Sequence, residues 1–301
     1  MTNSRRLISF DWAMKKLLRS KANFDILEGF LSELLNDNLS ILEILESESN
    51  QETENDKYNR VDLKVKTQTD EIIIIEVQYD REYDYLHRLA YGSAKVITEH
   101  LEQGAPYSDV VRVISVNIVY FNLGEGDDYV YHGTTQFSGI HNHNPLQLSP
   151  VQKELYKKTH VHEIYPEYYL IKVDNFDDIA RNSLDEWVYF LKNEEIKDNF
   201  KAKGLKKAKV ELDVMRLTED DRQAYEKHQD DLHHQASMVK SNYDAGTLNG
   251  LKKGIEQGIE QGAMKQNQEN AKAMKKAGVT SSIIADVTGL SITDINLLSK
   301  S

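Results

Sequence analysis

The sequence contains no cysteine, so disulfides, thiolate zinc sites and cysteine nucleophiles are excluded by inventory. That absence suits a reducing cytosol. Long hydrophobic runs are missing too: residues 72–75 form an unbroken isoleucine run, far short of the ~20 apolar residues a transmembrane helix needs. Arg5 and Arg6 precede a segment soon broken by Asp11, Lys15 and Lys16, so no secretory apolar region is expected there. The chain is read as cytoplasmic, without a membrane partner. A surplus of basic charge is also lacking. With 37 Lys and Arg against 49 Asp and Glu, the net charge is -12, which argues against a general coat for polyanions. It leaves room for an enzyme acting on them, because a carboxylate metal site adds acid exactly where local lysines and arginines would grip phosphates.

What is present is a foldable, polar chain. Its 301 residues are 40% hydrophobic and 29% charged, enough for one large domain or a domain with an appendage. Apolar residues recur at helical spacing from Phe10 to Leu18 behind Ser9, and again over residues 23–35. Residues 41–45 read as a short strand or a helical turn, and the acidic stretch 46–59 as a loop. Residues 60–67 alternate cleanly, with Val61, Leu63 and Val65 on one face and Asp62, Lys64 and Lys66 on the other. Residues 72–78 form a β-branched run ending in Glu76, Val77 and Gln78, and the polar Gln68, Thr69 and Asp70 between the two runs signal a hairpin. Residues 83–103 return to helical period, and Gly104 and Pro106 mark its end. Further strand patterns follow over residues 110–121, 129–137 and 163–173. Strands on both sides of a long helix indicate a mixed α/β architecture.

Beyond residue 182 the strand signal stops. Residues 184–191 read as a helix with Trp187 and Phe190 inward, residues 201–209 as a basic helical run, and Thr218 as the cap of a further helix. Glycines at 250, 254, 258 and 262 repeat every fourth residue, which stacks them along one slowly drifting side of a helix. Glycine lowers helix propensity, so such a segment is expected to need a partner surface. Residues 271–277, 281–287 and 292–298 predict a three-helix ending; a helix-turn-helix is one reading, and the simpler one is that Ile283, Ile284, Val287, Leu290 and Ile295 form a small core or an oligomer contact.

Asp62 and Glu76 fall on successive strands of the predicted hairpin. They share a face only if the connecting loop has an odd number of residues, for example 68–70 or 67–71. In such a register their Cβ atoms lie roughly 5 Å apart, close enough to share one divalent cation. Gln78 then lies on the same face. A carboxylate ending an isoleucine-rich strand costs several kcal/mol if it is buried unpaired, and a cation is one good partner. Structural ion pairs produce the same spacing. His141 with His143 and His160 with His162 place alternate imidazoles, but no third zinc ligand is specified.

Phe10-Asp11 with Lys15, Lys16 and Leu17, Val61-Asp62-Leu63-Lys64, Ile75-Glu76-Val77-Gln78, Arg88 with Tyr91 and Ser93-Ala94-Lys95, and the run 113–118 together resemble the Rpn family. These are bacterial recombination-promoting nucleases, also called PD-(D/E)XK family transposases. The resemblance spans roughly residues 5–180, and the glycine-period segment is similar to the family's C-terminal tail. It implies a restriction-endonuclease-like mixed sheet flanked by helices, with an α-helical C-terminal extension. It also implies a DNA endonuclease using Mg²⁺, or Mn²⁺ or Ca²⁺, held by Asp62, Glu76 and the carbonyl of Val77. Gln78 departs from the superfamily's usual lysine, though the Rpn-like pattern itself has glutamine there, and an amide supplies no positive charge. Lys95, which fits the family pattern better, or Lys64 is expected to supply it. Asp11 has two readings, a further metal ligand or a helix-dipole residue. Arg88 is expected either to bind DNA phosphate or to pair with Glu82 or Asp84. Strand transfer is not implied, since these strands do not carry an RNase H-like triad.

The expected organisation is a nuclease domain over 1–195, a helical arm over 196–262 and a three-helix segment over 263–301. The arm is expected to join two copies into a dimer, which suits double-strand cleavage. A catalytically silent DNA-binding or assembly protein, and an RNase, are the alternatives.

Overall fold

The computed structural model describes residues 7–45, 62–101 and 103–298. The acidic stretch expected as a loop at 46–59 lies outside them, as do Arg60 and Val61 at the start of the predicted strand. The chain forms two compact units, residues 1–230 and 231–301.

The first unit is built on a six-stranded mixed sheet. Its strands are β1 (Ile41–Leu45), β2 (Leu63–Thr67), β3 (Ile72–Gln78), β4 (Val113–Val119), β5 (Val130–Gly133) and β6 (Glu167–Lys172), in spatial order β1-β2-β3-β4-β6-β5. The β1, β2 and β3 neighbours are antiparallel, β3, β4 and β6 run parallel, and β5 closes the far edge antiparallel to β6. The long connection between the parallel β3 and β4 contains α3 (Tyr85–Glu99), as a parallel pair requires. Residues 41–45, left open between strand and turn by the sequence, form the edge strand.

Alternation sorts the side chains into two layers. Leu63 and Val65, Ile73, Ile75 and Val77, and Ile114, Val116 and Ile118 face the larger core. There they meet α1 (Phe10–Lys16), α2 (Phe24–Leu35), α5 (Ser183–Asn193) and α6 (Leu205–Glu211). On the other face Ile72, Ile74 and Val113 pack against Val96 of α3, while Tyr85 and Leu89 of α3 pack on Val119 and Phe121. Phe10, Phe30, Trp187 and Phe190 stack edge-on at the centre of the larger core, with centroids 5.3–6.3 Å apart. Such contacts add about 0.5–1.5 kcal/mol per pair beyond burial. Gly29 lets α2 approach the chain at Lys203, whose carbonyl also accepts a hydrogen bond from Trp187 Nε1 at 3.2 Å; a Cβ at Gly29 would collide with that carbonyl.

The expected boundary at 195 differs from the structural one. Leu205, Ala208, Leu212 and Tyr225 are buried in the same core as Trp187, so the basic run and the first turns of the following helix belong to the sheet-bearing unit. That helix, α7 (Glu219–Lys276), is continuous for 58 residues. It absorbs the glycine-period segment and the first of the three predicted terminal helices. Thr218 caps it, accepting from the Asp221 amide at 3.2 Å. One further helix, α4 (Pro150–Tyr156), begins at a Ser149 capping box that the periodicity reading passed over.

In the second unit the end of α7, α8 (Ser281–Thr288) and α9 (Ile292–Leu297) bury Ala271, Ile284 and Ile295. Lys275 Nζ donates to the carbonyls of Ile295, Asn296 and Leu298 at 2.8–3.1 Å and closes the end of α9. Ile283 and Val287, two of the five residues expected in this core or at an oligomer contact, point to solvent. Among the described residues, no helix is long and apolar enough to cross a membrane.

Candidate active site

The β2–β3 pairing fixes the first question the sequence raised. Leu63 lies opposite Ile75, Lys66 opposite Ile72, and the Thr67 amide donates to the Glu71 carbonyl at 2.9 Å. The loop is therefore residues 68–70, an odd number, with Asp70 at a positive φ of 58°. The ladder ends at Leu63 and Ile75; Asp62 lies just beyond it, and its Oδ2 accepts from the Val77 amide at 2.8 Å, beside Glu76. In the parallel direction Glu76 is level with Asn117 of β4. Glu76 and Asn117 are thus neighbours on the sheet face covered by α3, with Gln78 one pleat beyond, and Asp62 stands at the end of β2 next to them.

Glu76 is 7% exposed. Arg88 of α3 makes an ion pair with its Oε1, yet that oxygen lacks the alignment of a hydrogen bond. Burial, reinforced by the negative charges of Asp62 and Glu82 and opposed by Arg88, pushes the Glu76 carboxyl up to about 7. Arg88 also binds Glu82 at 2.8 Å; of the two readings of Arg88, the described contacts are with carboxylates. Gln78 Nε2 donates to Glu82 Oε1 at 3.1 Å and to the Asp80 carbonyl at 3.2 Å. The amide at the unusual position is therefore tied to the loop after β3.

The positively charged candidates separate. Lys64 is buried and paired with Glu99 at 3.4 Å. Lys95 is half-buried on α3. Among the described contacts, the lysine that does reach a site carboxylate is Lys15 of α1, whose Nζ lies 3.3 Å from Asp62 Oδ1 and 4.0 Å from Asp11 Oδ2. Arg19 donates to the Asp62 backbone carbonyl at 3.0 Å.

Asp11 is 1% exposed. It accepts from the Tyr79 hydroxyl at 3.1 Å, and His228 Nε2 lies 2.8 Å from its other oxygen. Burial opposes its ionisation, but hydrogen bonds from His228 and Ser9 and the charges of His228 and Lys15 outweigh that and hold the carboxyl below its ordinary value. Both oxygens are thus engaged by protein groups. His228 comes from the first turns of α7, fixed on α1 by Tyr225, which stacks edge-on against Trp12 at 5.4 Å and accepts from the Ser9 amide at 3.2 Å.

Among the described residues, no three His, Asp or Glu side chains converge as they stand on one potential metal position. His160 and His162 stack on each other at 5.3 Å without a third ligand. The Asp62–Glu76 pair nevertheless suits a hard cation. It offers carboxylate oxygen donors, one of the two carboxylates buried, in surroundings where Asp62 and Glu82 add negative charge that Arg88 offsets. Two carboxylates with waters completing the shell is a usual Mg²⁺ arrangement.

Residues not singled out from sequence also belong here. Asn117, 1% exposed, donates to Ser115 Oγ at 2.9 Å and lies beside Glu76. Glu82 gathers Arg88 and Gln78. Asn117 was legible as a polar residue interrupting an apolar parallel strand; Glu82 was legible as a partner of Arg88 but not as one of Gln78.

A family model described as PD-(D/E)XK nuclease family transposase matches residues 8–242. Searches of curated proteins and of solved structures return no match.

Proposed function

The chain belongs to the PD-(D/E)XK nuclease family transposases, and from that premise we propose that it is a divalent-metal-dependent DNA endonuclease with Asp62 and Glu76 as metal ligands. The observation that carries the reading is the meeting of Asp62, held by the Val77 amide, with the buried Glu76 at one end of the β2–β3 hairpin, close enough for the Asp62 charge to raise the Glu76 carboxyl. Asp62, Glu76 and the Val77 carbonyl would hold Mg²⁺ or Mn²⁺. When bound, such an ion polarises the phosphodiester and lowers the pKa of water.

The protein groups have distinct tasks. The Val77 amide and Arg19 fix Asp62. Arg88 neutralises Glu76 and Glu82, and its guanidinium geometry also suits a phosphate. Gln78 anchors the loop after β3 and can orient water, but neither accepts nor donates a titrating proton. Lys95 is the family-based expectation for transition-state charge.

A dimer through the C-terminal arm completes the proposal. Leu248, Leu251, Ile255 and Ile259 are each more than half exposed on α7, and Gly250, Gly254 and Gly258 have nothing within 4 Å of a built Cβ. A second copy would cover that apolar side at close helix approach.

Cleavage assays on duplex DNA, single strands and RNA with Mg²⁺, Mn²⁺ and Ca²⁺ test the function. Asp62→Ala and Glu76→Ala should each lower the duplex cutting rate at least about 100-fold in folded protein, the several kcal/mol a Lewis-acid ion contributes. Full activity in either variant would remove the site assignment. A second reading, a silent DNA-binding or assembly protein, is favoured by Gln78 being tied to Glu82 while Arg88 occupies Glu76; it predicts DNA binding without cutting under every metal. Preferential cutting of RNA would make the chain an RNase.

A further inference from the structure

We propose that Lys15 of α1 is a catalytic residue of this site, the ammonium that contacts the scissile phosphate in place of the lysine absent at Gln78. The inference rests on the nuclease reading above. Its basis is geometric. Among the described contacts, Lys15 is the one lysine that touches either carboxylate of the pair, at 3.3 Å from Asp62 Oδ1. Lys64 is committed to Glu99 and buried, Arg88 is shared between Glu76 and Glu82, and Arg19 serves the Asp62 carbonyl oxygen. Lys95 makes no described ion pair with Asp62 or Glu76.

The placement of Lys15 is built. Its helix belongs to the layer opposite α3, since Phe10, Trp12, Ala13 and Met14 sit in the larger core, and its ammonium reaches the Asp62 carboxylate at the end of β2. Asp11, one turn earlier, lies 4.0 Å from the same ammonium and is itself held by Tyr79 and His228. Asp11 is therefore a positioning residue: a buried anion, kept ionised, that holds the lysine stem toward Asp62. The Lys15 side chain is 42% exposed, and an ammonium has three donors, so it can keep Asp62 and still present a proton to an incoming phosphate oxygen. A half-exposed pair of this kind contributes only about 0–1 kcal/mol to stability. Fold stability alone does not call for this arrangement.

The chemistry asked of Lys15 is electrostatic. It gives up no proton; its positive charge sits beside the non-bridging oxygens as negative charge grows on the phosphorus centre. Lysine suits this task as a compact point charge, whereas Gln78 offers only an amide dipole.

The test uses the full chain with Lys15→Ala, Lys15→Arg and Lys95→Ala. Three quantities are read: single-turnover cutting of duplex DNA, Mn²⁺ affinity by calorimetry, and the salt dependence of duplex binding. Lys15→Ala is expected to cut at least about 100-fold more slowly. Its Mn²⁺ affinity should be equal or higher, because a competing cation has left Asp62. The slope of log affinity against log salt should fall by about 0.9, one phosphate contact. Lys15→Arg should recover part of the rate, and Lys95→Ala, the competing assignment, should lose less rate than Lys15→Ala. Cutting by Lys15→Ala within threefold of wild type overturns the assignment while leaving the nuclease reading intact. So does a fall in Mn²⁺ affinity matching the fall in rate with an unchanged salt slope, which would make Lys15 a prop for Asp62. A wild-type chain that cuts no nucleic acid with any metal overturns the nuclease reading and the Lys15 assignment with it.

Discussion

Replacing Glu76 by glutamine should stabilise the first compact unit at pH 8 and leave it nearly unchanged at pH 5. In the folded chain the Glu76 carboxyl is raised from 4.5 to about 7, by burial first, with Asp62 and Glu82 adding to it and Arg88 opposing. Between those two values the folded protein holds a proton that the unfolded chain has lost, so unfolding free energy falls as pH rises. The contribution is fully present below about 4.5 and gone once pH has passed about 7. At about 1.4 kcal/mol per pH unit, the interval bounds the loss at about 3 kcal/mol. Glutamine fills the same volume without a titration step. Both tryptophans, Trp12 and Trp187, lie buried in the first unit, so urea unfolding followed by their fluorescence at pH 5, 6, 7 and 8 reads the effect. The variant's advantage should grow by about 2–3 kcal/mol across that range. Mg²⁺ at about 100 times its Kd should return about 2.7 kcal/mol to the wild type at pH 8 and much less to the variant. A difference that stays flat from pH 5 to 8 would refute the electrostatic account of Glu76.

Asp11→Asn should cost about 1–3 kcal/mol at pH 7, because Tyr79 and His228 lose a charged acceptor. Its folded carboxyl lies below the ordinary 3.8, so the cost is present above that value and fades as pH falls through the folded one, which acid titration of variant and wild type would show. Gly29→Ala, meeting the Lys203 carbonyl, should lower stability by about 1–3 kcal/mol in the same unfolding assay. Gly254→Ala, with open space around it, should raise helix stability by up to about 1 kcal/mol. If the glycines serve close approach of a second copy, Gly254→Ala also reduces the assembly mass in light scattering; an unchanged mass argues against the arm as the dimer contact.

Most of the sheet was legible because alternation and β-branching are local properties. Residues 72–78 and the hairpin partner at 63–67 follow directly from them. The meeting of Asp62 and Glu76 was legible only as a condition, since loop parity depends on which residues close the turn, and the hydrogen bond of Thr67 to Glu71 makes that loop odd. Lys15 as a neighbour of Asp62 was not legible at all: the two are 47 positions apart and meet only when α1 packs under the sheet. The unbroken length of α7 was hidden for a different reason. Glycine's poor intrinsic propensity argues against helix at each repeat, yet the repeats are flanked by long stretches of good helix formers. The first-unit boundary failed to show because Leu205, Ala208, Leu212 and Tyr225 join their core by tertiary contact rather than by any change in composition.

The three-residue turn at 68–70 gives this chain an unusual vulnerability. Surface turns normally absorb insertions and deletions freely, since nothing is packed upon them. Here the turn's length sets which face every β2 side chain takes, those of the proposed site included. Gaining or losing one residue, if the β3 register against β4 is kept, rotates β2 by one pleat, turning Asp62 over and carrying Leu63 and Val65 out of the larger core, while the sheet keeps its hydrogen bonds. Gaining or losing two residues preserves the faces and only slides the strands. Over generations the permitted length changes at this exposed spot should therefore come in even steps, a mark left at the turn by the buried face of β2 and by the chemistry proposed for Asp62.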